Sequence, residues 1–349
     1  MTKQIEVGVL GATGMVGQQF VRELEGHPWF RLTWLGASER SAGKRYDAAA
    51  PWRLPGPIPD EIARRTVEAS TPDGAPQLVF SGLDAAVAGE IEGAFAESGR
   101  TVVSNARNFR MDDLVPLLVP EINADHLALL PAQRQAKGWR GGIVTNPNCS
   151  TVVLTMGLAP LVEFGLRAVI VTTAQAVSGA GYPGVASLDI VGNVVPEVPG
   201  EEQKMETETK KILGRLRDGR VEPHGVAISA ATTRVPVING HTEMISVKFD
   251  EAPPEADLLA AFTRFAGRPQ EAKLPSAPPR PVIYLDAALR PQPRLDADRD
   301  GGMTVSIGRL RPCGVLDYKF VALGHNTVRG AAGAAVLNAE LMHADGFLD

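Results

Sequence analysis

Cysteine is scarce. Cys149 and Cys313 are the only two in 349 residues, too few for a disulfide framework or a Cys-rich zinc site. A cytoplasmic setting is the expectation that follows. An excess of positive charge is also lacking: 35 Lys and Arg against 40 Asp and Glu give a formal net charge of −5. That balance offers no electrostatic reason for a nucleic-acid partner. Met1 to Leu10 carries Lys3 and Glu6 and then turns strand-like, without the apolar core and cleavage site of a signal peptide. The one long uncharged run, Ala168 to Leu188, is broken by Gly179, Gly181, Pro183 and Gly184. A buried strand followed by a glycine-rich loop is expected there, and no membrane partner.

Metal-ligand spacing is missing too. His27, His126, His224 and His343 have no Cys or His neighbour at a usable interval, and no metal is assigned. Asp296-Ala297-Asp298-Arg299-Asp300-Gly301 copies the opening of a calcium loop, but the closing position, Ile307, cannot supply the bidentate carboxylate. A tight hairpin turn is the expectation for that segment.

What is present is an ordinary globular composition, with 44% hydrophobic and 21% charged residues, long enough for two domains with cores of their own. Ile5 to Leu10 reads as a strand that meets Gly11-Ala12-Thr13-Gly14-Met15-Val16-Gly17, and Val16 to Leu24 reads as a helix. Strands at Arg31 to Gly36, Leu78 to Ser81 and Thr101 to Ser104, with a helix at Ala85 to Glu97, continue the alternation. Such alternation predicts an α/β, Rossmann-type doubly wound parallel sheet. After Cys149 the texture becomes α+β: a helix from Ser150 to Phe164 and strands at Ala168 to Ala176, Met244 to Phe249 and Met303 to Leu310. A last helix, Thr327 to Met342, is expected to pack back on the first unit. The expected division is 1–148, completed by 327–349, and 149–326.

The Gly11, Gly14, Gly17 turn suits a dinucleotide, because glycine admits the pyrophosphate and the following helix offers free N–H donors. After the second strand, Ser38, Arg40, Ser41 and Lys44 favour the 2′-phosphate of NADP, whereas Glu39, turned inward, would serve NAD. A lone cysteine is usually an inert core residue, and Cys313 is read so. Cys149 differs, since Asn146-Pro147-Asn148-Cys149-Ser150-Thr151 reads as a loop ending in a helix. At a helix N-terminus its thiol is expected to fall from about 8.5 toward working pH.

Seven segments, in order, make the chain resemble the aspartate-β-semialdehyde dehydrogenases, the archaeal and fungal branch more than the common bacterial one. They are Gly11 to Gly17, Ser104 to Arg110, Asn146 to Thr151, Gln175 to Gly184, Gly200 to Lys204, Arg234 to Glu243 and His325 to Gly330. The resemblance implies reversible NADP-dependent reductive dephosphorylation of aspartyl phosphate to aspartate semialdehyde, in the biosynthesis of lysine, threonine, methionine and isoleucine. It implies Cys149 as the nucleophile, His241 as acid/base and Gln175 as a substrate-holding residue, with Asn148 or the Cys149 N–H at the oxyanion. Arg234 would take the α-carboxylate, Glu201 the α-ammonium, and Arg110 with Lys204 the phosphate, Arg107 being a competitor for Arg110.

For the cofactor the implied set is Gly11, Thr13, Gly14, Met15, Val16, Ser38, Arg40, Ser41, Ser81, Asn105, Ser178, Gly179 and Asn326. A catalytic and dimerisation domain, and hence a homodimer or homotetramer, is implied as well. Alternatives are a malonyl-CoA reductase on the same scaffold, for which Glu201 would have no ammonium partner, and a cysteine hydrolase using Cys149 and His241. The hydrolase reading leaves the glycine turn unexplained. An NADP-sensing protein with a relict site is a third, opposed by the completeness of the motifs.

Overall fold

The computed structural model describes residues 4–348. Met1, Thr2, Lys3 and Asp349, at the ends of the expected ranges and including the Lys3 charge, lie outside the described residues. Six strands in the first part, β1 (Ile5–Leu10), β2 (Phe30–Ala37), β3 (Glu68–Ala69), β4 (Leu78–Ser81), β5 (Thr101–Ser104) and β6 (Gly142–Thr145), form one sheet in the order β3-β2-β1-β4-β5-β6. Every pairing is parallel. This is the doubly wound Rossmann order, which reverses direction between β1 and β4 and opens a crevice beyond the strand ends there. Val7, Val9, Val79, Phe80, Val102 and Val103 are fully buried, as strands covered by helices on both faces require.

The second sheet is one-sided. Its strands are β7 (Leu166–Gln175), β10 (Ala227–Arg234), β11 (His241–Phe249), β12 (Val282–Leu285), β13 (Val305–Pro312) and β14 (Tyr318–Gly324), ordered β10-β7-β11-β14-β13-β12; β8 (Arg215–Arg217) and β9 (Arg220–Glu222) make a separate hairpin. The pairings mix parallel and antiparallel. Along β11 the buried His241, Glu243, Ile245 and Val247 alternate with the less buried Thr242, Met244, Ser246 and Lys248, so one face is packed and the other bare. Helices Cys149–Leu158, Glu201–Ile212 and Glu255–Arg264 cover the packed face. Gly157 of the first lies against Ile307, Phe320 and Ala322.

Several local expectations change. The helix read from Ser150 to Phe164 begins at Cys149, and after Leu158 it tightens into a 3₁₀ segment, Ala159–Phe164, next to Pro160. The last helix starts at Ala332, because Thr327 to Ala331 are held in turns by the His325 carbonyl and ring. Asp296 to Gly301 is no hairpin turn: β12 and β13 run parallel, which no tight turn can join, and the segment forms short helical pieces. There Asp296 is paired with Arg290 and Arg299.

The closing helix Ala332–Ala344 buries Val336, Leu337, Leu341 and Met342 in the core of the first sheet, against the helix Met15–Glu23. Just before it, Arg329 forms a fork with Glu121, at 2.7 and 2.6 Å, both side chains being 0% exposed. Its Nη2 also lies 3.2 Å from Met156 Sδ on the Cys149 helix. A lone buried charge is far costlier than a matched pair. Arg329→Met is therefore expected to destabilise by about 3–5 kcal/mol, and adding Glu121→Leu should recover most of the loss, as read from urea denaturation midpoints.

Candidate active site

The site is organised at the start of the helix Cys149–Leu158. Asn148 caps it, its Oδ1 accepting the N–H groups of Ser150 at 3.0 Å and Thr151 at 3.3 Å. Its Nδ2 donates to both Glu201 oxygens, at 2.9 and 2.7 Å, and its backbone N–H donates to Glu208 Oε2 at 2.7 Å. The side chain expected at an oxyanion is thus committed to cap and carboxylate. Gly330 lies against the start of this helix: a Cβ there would stand 2.7 Å from Cys149 Cβ.

His241 opens β11 and places Nε2 3.2 Å from Cys149 Sγ. Its Nδ1 accepts the Ala176 N–H at 3.1 Å, so the hydrogen-bond pattern assigns the ring proton to Nε2. In that tautomer the imidazole is a donor toward sulfur. To receive a proton at Nε2 it must carry its own at Nδ1 and give up Ala176. Burial, followed by the charge of Arg234 and by His325, pushes its pKa down to about 3. The thiol moves the other way from the sequence expectation: burial, then the Glu201 carboxylate, pushes it up to about 12 against the opposing pull of Arg110 and Arg234. A helix N-terminus lowers a thiol pKa only where desolvation does not exceed it. The resting pair is a neutral thiol beside a neutral imidazole.

Charge gathers round this pair. Arg234, the last residue of β10, is buried, and its Nη1 donates to the Ala176 carbonyl at 2.7 Å. Burial lowers its pKa. Gly179 lies where a Cβ would meet Arg234 Nη1 at 3.0 Å and His241 Cε1 at 3.1 Å. Gln175 sits beside Arg234 in register and is buried, its amide donating to Thr173 Oγ1 at 3.4 Å. Lys204 Nζ bonds Glu201 Oε1 at 2.8 Å, and Arg110 Nη1 bonds Glu208 Oε1 at 3.0 Å. Arg107 is exposed and has none of these contacts.

A cavity of about 700 Å³ lies between the two sheets, lined in part by Met15, Val16, Asn105, Arg110, Asn148 and Cys149, and by Ser178, Gly179 and Asn326. Asn326 Nδ2 donates to Ser178 Oγ at 2.8 Å. Ser38, Arg40 and Ser41 do not line it; they stand beyond the end of β2, Ser38 and Arg40 exposed. Gly11, Thr13 and Gly14 form the turn between β1 and the helix Met15–Glu23. Ser81 is buried at the end of β4.

Two comparisons of sequence and one of structure decide the family. The model described as "Semialdehyde dehydrogenase, NAD binding domain" matches residues 6–130, and "Semialdehyde dehydrogenase, dimerisation domain" matches 158–329. The aspartate-semialdehyde dehydrogenase of Archaeoglobus fulgidus is 48% identical over 339 residues, 96% of this chain and 97% of that one. That of Cryptococcus neoformans is 50% identical over 353 residues, 97% of this chain and 96% of the relative.

The chain belongs to the aspartate-semialdehyde dehydrogenase family. The Candida albicans member of the family, solved with NADP, superposes with a TM-score of 0.91 at 43% identity, covering 99% of each chain. A Vibrio cholerae aspartate semialdehyde dehydrogenase II gives 0.77 at 25% identity, also over 99% of each.

Some residues of this family member's site were not read from the sequence. Glu208 falls on the same helix stripe as Glu201 and Lys204, an interval of two turns that was open to notice. His325, paired with Asp298 at 3.4 Å on the cavity wall, opens the last of the seven matching segments, but no role was read for it there. Glu243, two residues beyond His241 on the same strand face, is fully buried with neither oxygen partnered among the described residues, and burial raises its pKa well above the usual range. Cys313, expected to be inert in a core, is only half-buried. There the N–H groups of Leu316 and Val315 lower its pKa. In the cofactor-free protein, iodoacetamide at pH 7 should therefore modify Cys149 at least about tenfold more slowly than Cys313, with the Cys149 rate still rising at pH 9. Peptide mass spectrometry over a pH series checks this, and a Cys149 plateau near pH 7 would contradict the raised thiol.

Proposed function

We propose that the protein interconverts L-aspartate 4-semialdehyde, phosphate and NADP with L-4-aspartyl phosphate, NADPH and a proton, through a thioester on Cys149. The observation that carries this reading is the 3.2 Å approach of Cys149 Sγ and His241 Nε2 beside the buried Arg234 and Glu201. The substrate has one carboxylate, one ammonium and one reacting carbonyl, and this set of side chains matches all three. Glu201 favours an amino substrate over a malonyl thioester, which would bring no cation to it. The dinucleotide cavity and glycine turn have no purpose in a hydrolase.

The turn after β1 fits a dinucleotide. A Cβ on Gly17 would lie 2.2 Å from the Gly11 carbonyl oxygen, so strand and helix meet as closely as glycine allows. The helix Met15–Glu23 has neither a side-chain cap nor an acid in its first turn, leaving its N–H groups and positive end for a pyrophosphate. Gly11, Thr13, Gly14, Met15 and Val16 would hold that group; Ser38, Arg40 and Ser41 the 2′-phosphate; Ser81, Asn105, Ser178, Gly179 and Asn326 the nicotinamide half. When bound, NADP would supply a hydride acceptor, so that the hemithioacetal on Cys149, losing its hydroxyl proton to His241 as the hydride leaves, becomes a thioester.

The protein's own groups do the rest. Arg234 takes the α-carboxylate and Glu201 the α-ammonium, which sets the carbonyl over the sulfur, with Gln175 closing the substrate side. As sulfur attacks, His241 in its Nδ1-protonated form removes the thiol proton at Nε2 and returns it to the substrate oxygen, while the Cys149 N–H donates to that oxygen. The imidazolium formed between those transfers is disfavoured by burial, which speeds its second transfer. Arg110 and Lys204 hold the phosphate that attacks the thioester and expels the sulfur.

We assign residues 1–148 and 327–349 to the dinucleotide-binding unit and 149–326 to the catalytic and dimerisation unit. A second copy is proposed on the bare face of the second sheet, where Ile170 and Met244 are exposed, as a homodimer or a dimer of dimers. Among the described residues no helix is long and apolar enough to cross a membrane, and we place the enzyme in the cytoplasm.

A spectrophotometric assay tests the reading: aspartate semialdehyde and NADP should give rapid phosphate-dependent NADPH formation, and malonyl-CoA with NADPH should give none. The reverse result would assign the chain to acyl-CoA reduction. Arg234→Leu should lower kcat/KM for the semialdehyde by roughly ten- to a hundredfold, the loss of one charge-assisted pair. Lysine there should restore only part, because it keeps the charge without the planar fork. Equal activities for the leucine variant and the wild type would remove Arg234 from the substrate site.

A further inference from the structure

Glu208 lies on the helix Glu201–Ile212, two turns beyond Glu201, and is 2% exposed. Its two oxygens face two different parts of the site. Oε1 is 3.0 Å from Arg110 Nη1, and Oε2 accepts the Asn148 N–H at 2.7 Å. Asn148 is the cap of the Cys149 helix, so one carboxylate joins the guanidinium on the cavity wall to the residue that sets the height of the nucleophile.

Arg110 is held for such a link. Its Nη2 donates to the Asn105 carbonyl at 2.7 Å, and its buried Nε–H has no partner among the described residues. Its backbone is held as well. Lys211, one turn past Glu208, donates to the carbonyls of Arg110, Asp112 and Val115 at 2.8, 2.7 and 2.9 Å. Loop and helix are therefore tied to one another, and an anion at Arg110 meets a guanidinium that already has one counter-ion. It must share that charge with Glu208, and any shift of Glu208 is felt by Asn148 through the other oxygen.

We propose that Glu208 is a positioning residue, a counter-ion shared between the phosphate-binding arginine and the cap of the Cys149 helix, which weakens phosphate binding while holding the thiol in place. The inference rests on the reading of Arg110 as a phosphate ligand. Removing the carboxylate leaves Arg110 with uncompensated charge, so phosphate gains affinity whichever way a replacing amide turns. Removing the acceptor altogether leaves the Asn148 N–H buried without a partner, and the cap loosens.

The test uses the full-length enzyme with inorganic phosphate as the probe and two readouts: KM for phosphate, and the burst of NADPH formed from semialdehyde and NADP without phosphate, which reports acylation of Cys149 alone. Glu208→Gln is expected to lower KM for phosphate by about three- to tenfold, the effect of removing one nearby charge in a partly screened site, and to slow the burst only a few-fold. Glu208→Ala is expected to slow the burst by at least about tenfold. A residue that merely supports the fold would not improve phosphate binding. An unchanged or raised KM in Glu208→Gln overturns the counter-ion role, and a wild-type burst in Glu208→Ala overturns the positioning role. The near-isosteric glutamine keeps the proposal testable if the alanine variant does not fold. Arg110→Lys separates the premise from the inference: it keeps a charge for Glu208 and should raise KM for phosphate by a larger factor than it slows the burst. If it leaves that constant unchanged, the phosphate reading of Arg110 fails, whereas the Glu208→Ala burst still judges the cap.

Discussion

The chemistry of this protein depends on how one helix begins. The first turn of Cys149–Leu158 exposes N–H groups that must be satisfied, and Asn148 satisfies two of them while its own amide and backbone are held by Glu201 and Glu208. The thiol is therefore placed by a set of charge-assisted bonds between two helices rather than by its own contacts. His241 comes from the edge of β11, Arg234 from the end of β10, and Gly330 from the segment before the closing helix. Each reaches Cys149 because two of the three helices that cover the second sheet, Cys149–Leu158 and Glu201–Ile212, meet at Asn148.

The same burial that fixes the geometry sets the resting protonation. In water a helix end and two arginines would ionise a thiol; here desolvation and the Glu201 carboxylate outweigh them. A neutral pair suits an enzyme that must not alkylate or oxidise before substrate arrives. Lys204 already bonds Glu201 at 2.8 Å, so the carboxylate that raises the thiol pKa is itself held by a cation and by the Asn148 amide.

A second constraint is the buried fork between Arg329 and Glu121. It joins the crossover after β5 to the chain entering the closing helix, and touches Met156 on the Cys149 helix. An ion pair of this kind adds little net stability compared with apolar packing, but a shifted register would strand two charges in the core. It thus fixes the position of Gly330, which packs against the backbone and Cβ of Cys149.

The parallel half of the fold was legible in the chain, since strand, glycine turn and helix are local patterns and their alternation admits few arrangements. The side chains that meet around the thiol were legible through the resemblance alone, whose segments carry Asn148 before Cys149 and Arg234 seven residues before His241; read without it, His241 and Arg234 are ordinary surface groups. What the tertiary structure alone decided rests on contacts between distant segments. β6, β10, β12 and β14 are short or weakly patterned and become strands by pairing; the turn expected at Asp296 to Gly301 gave way once β12 and β13 lay parallel. The upward shift of the thiol, the tautomer imposed on His241 by Ala176 and the two hydrogen bonds that Glu208 accepts from Arg110 and Asn148 follow from burial and from partners that lie tens of residues away. Local sequence specifies which groups a segment carries, but the dielectric around a charge and the donor opposite it exist only after the chain has closed on itself.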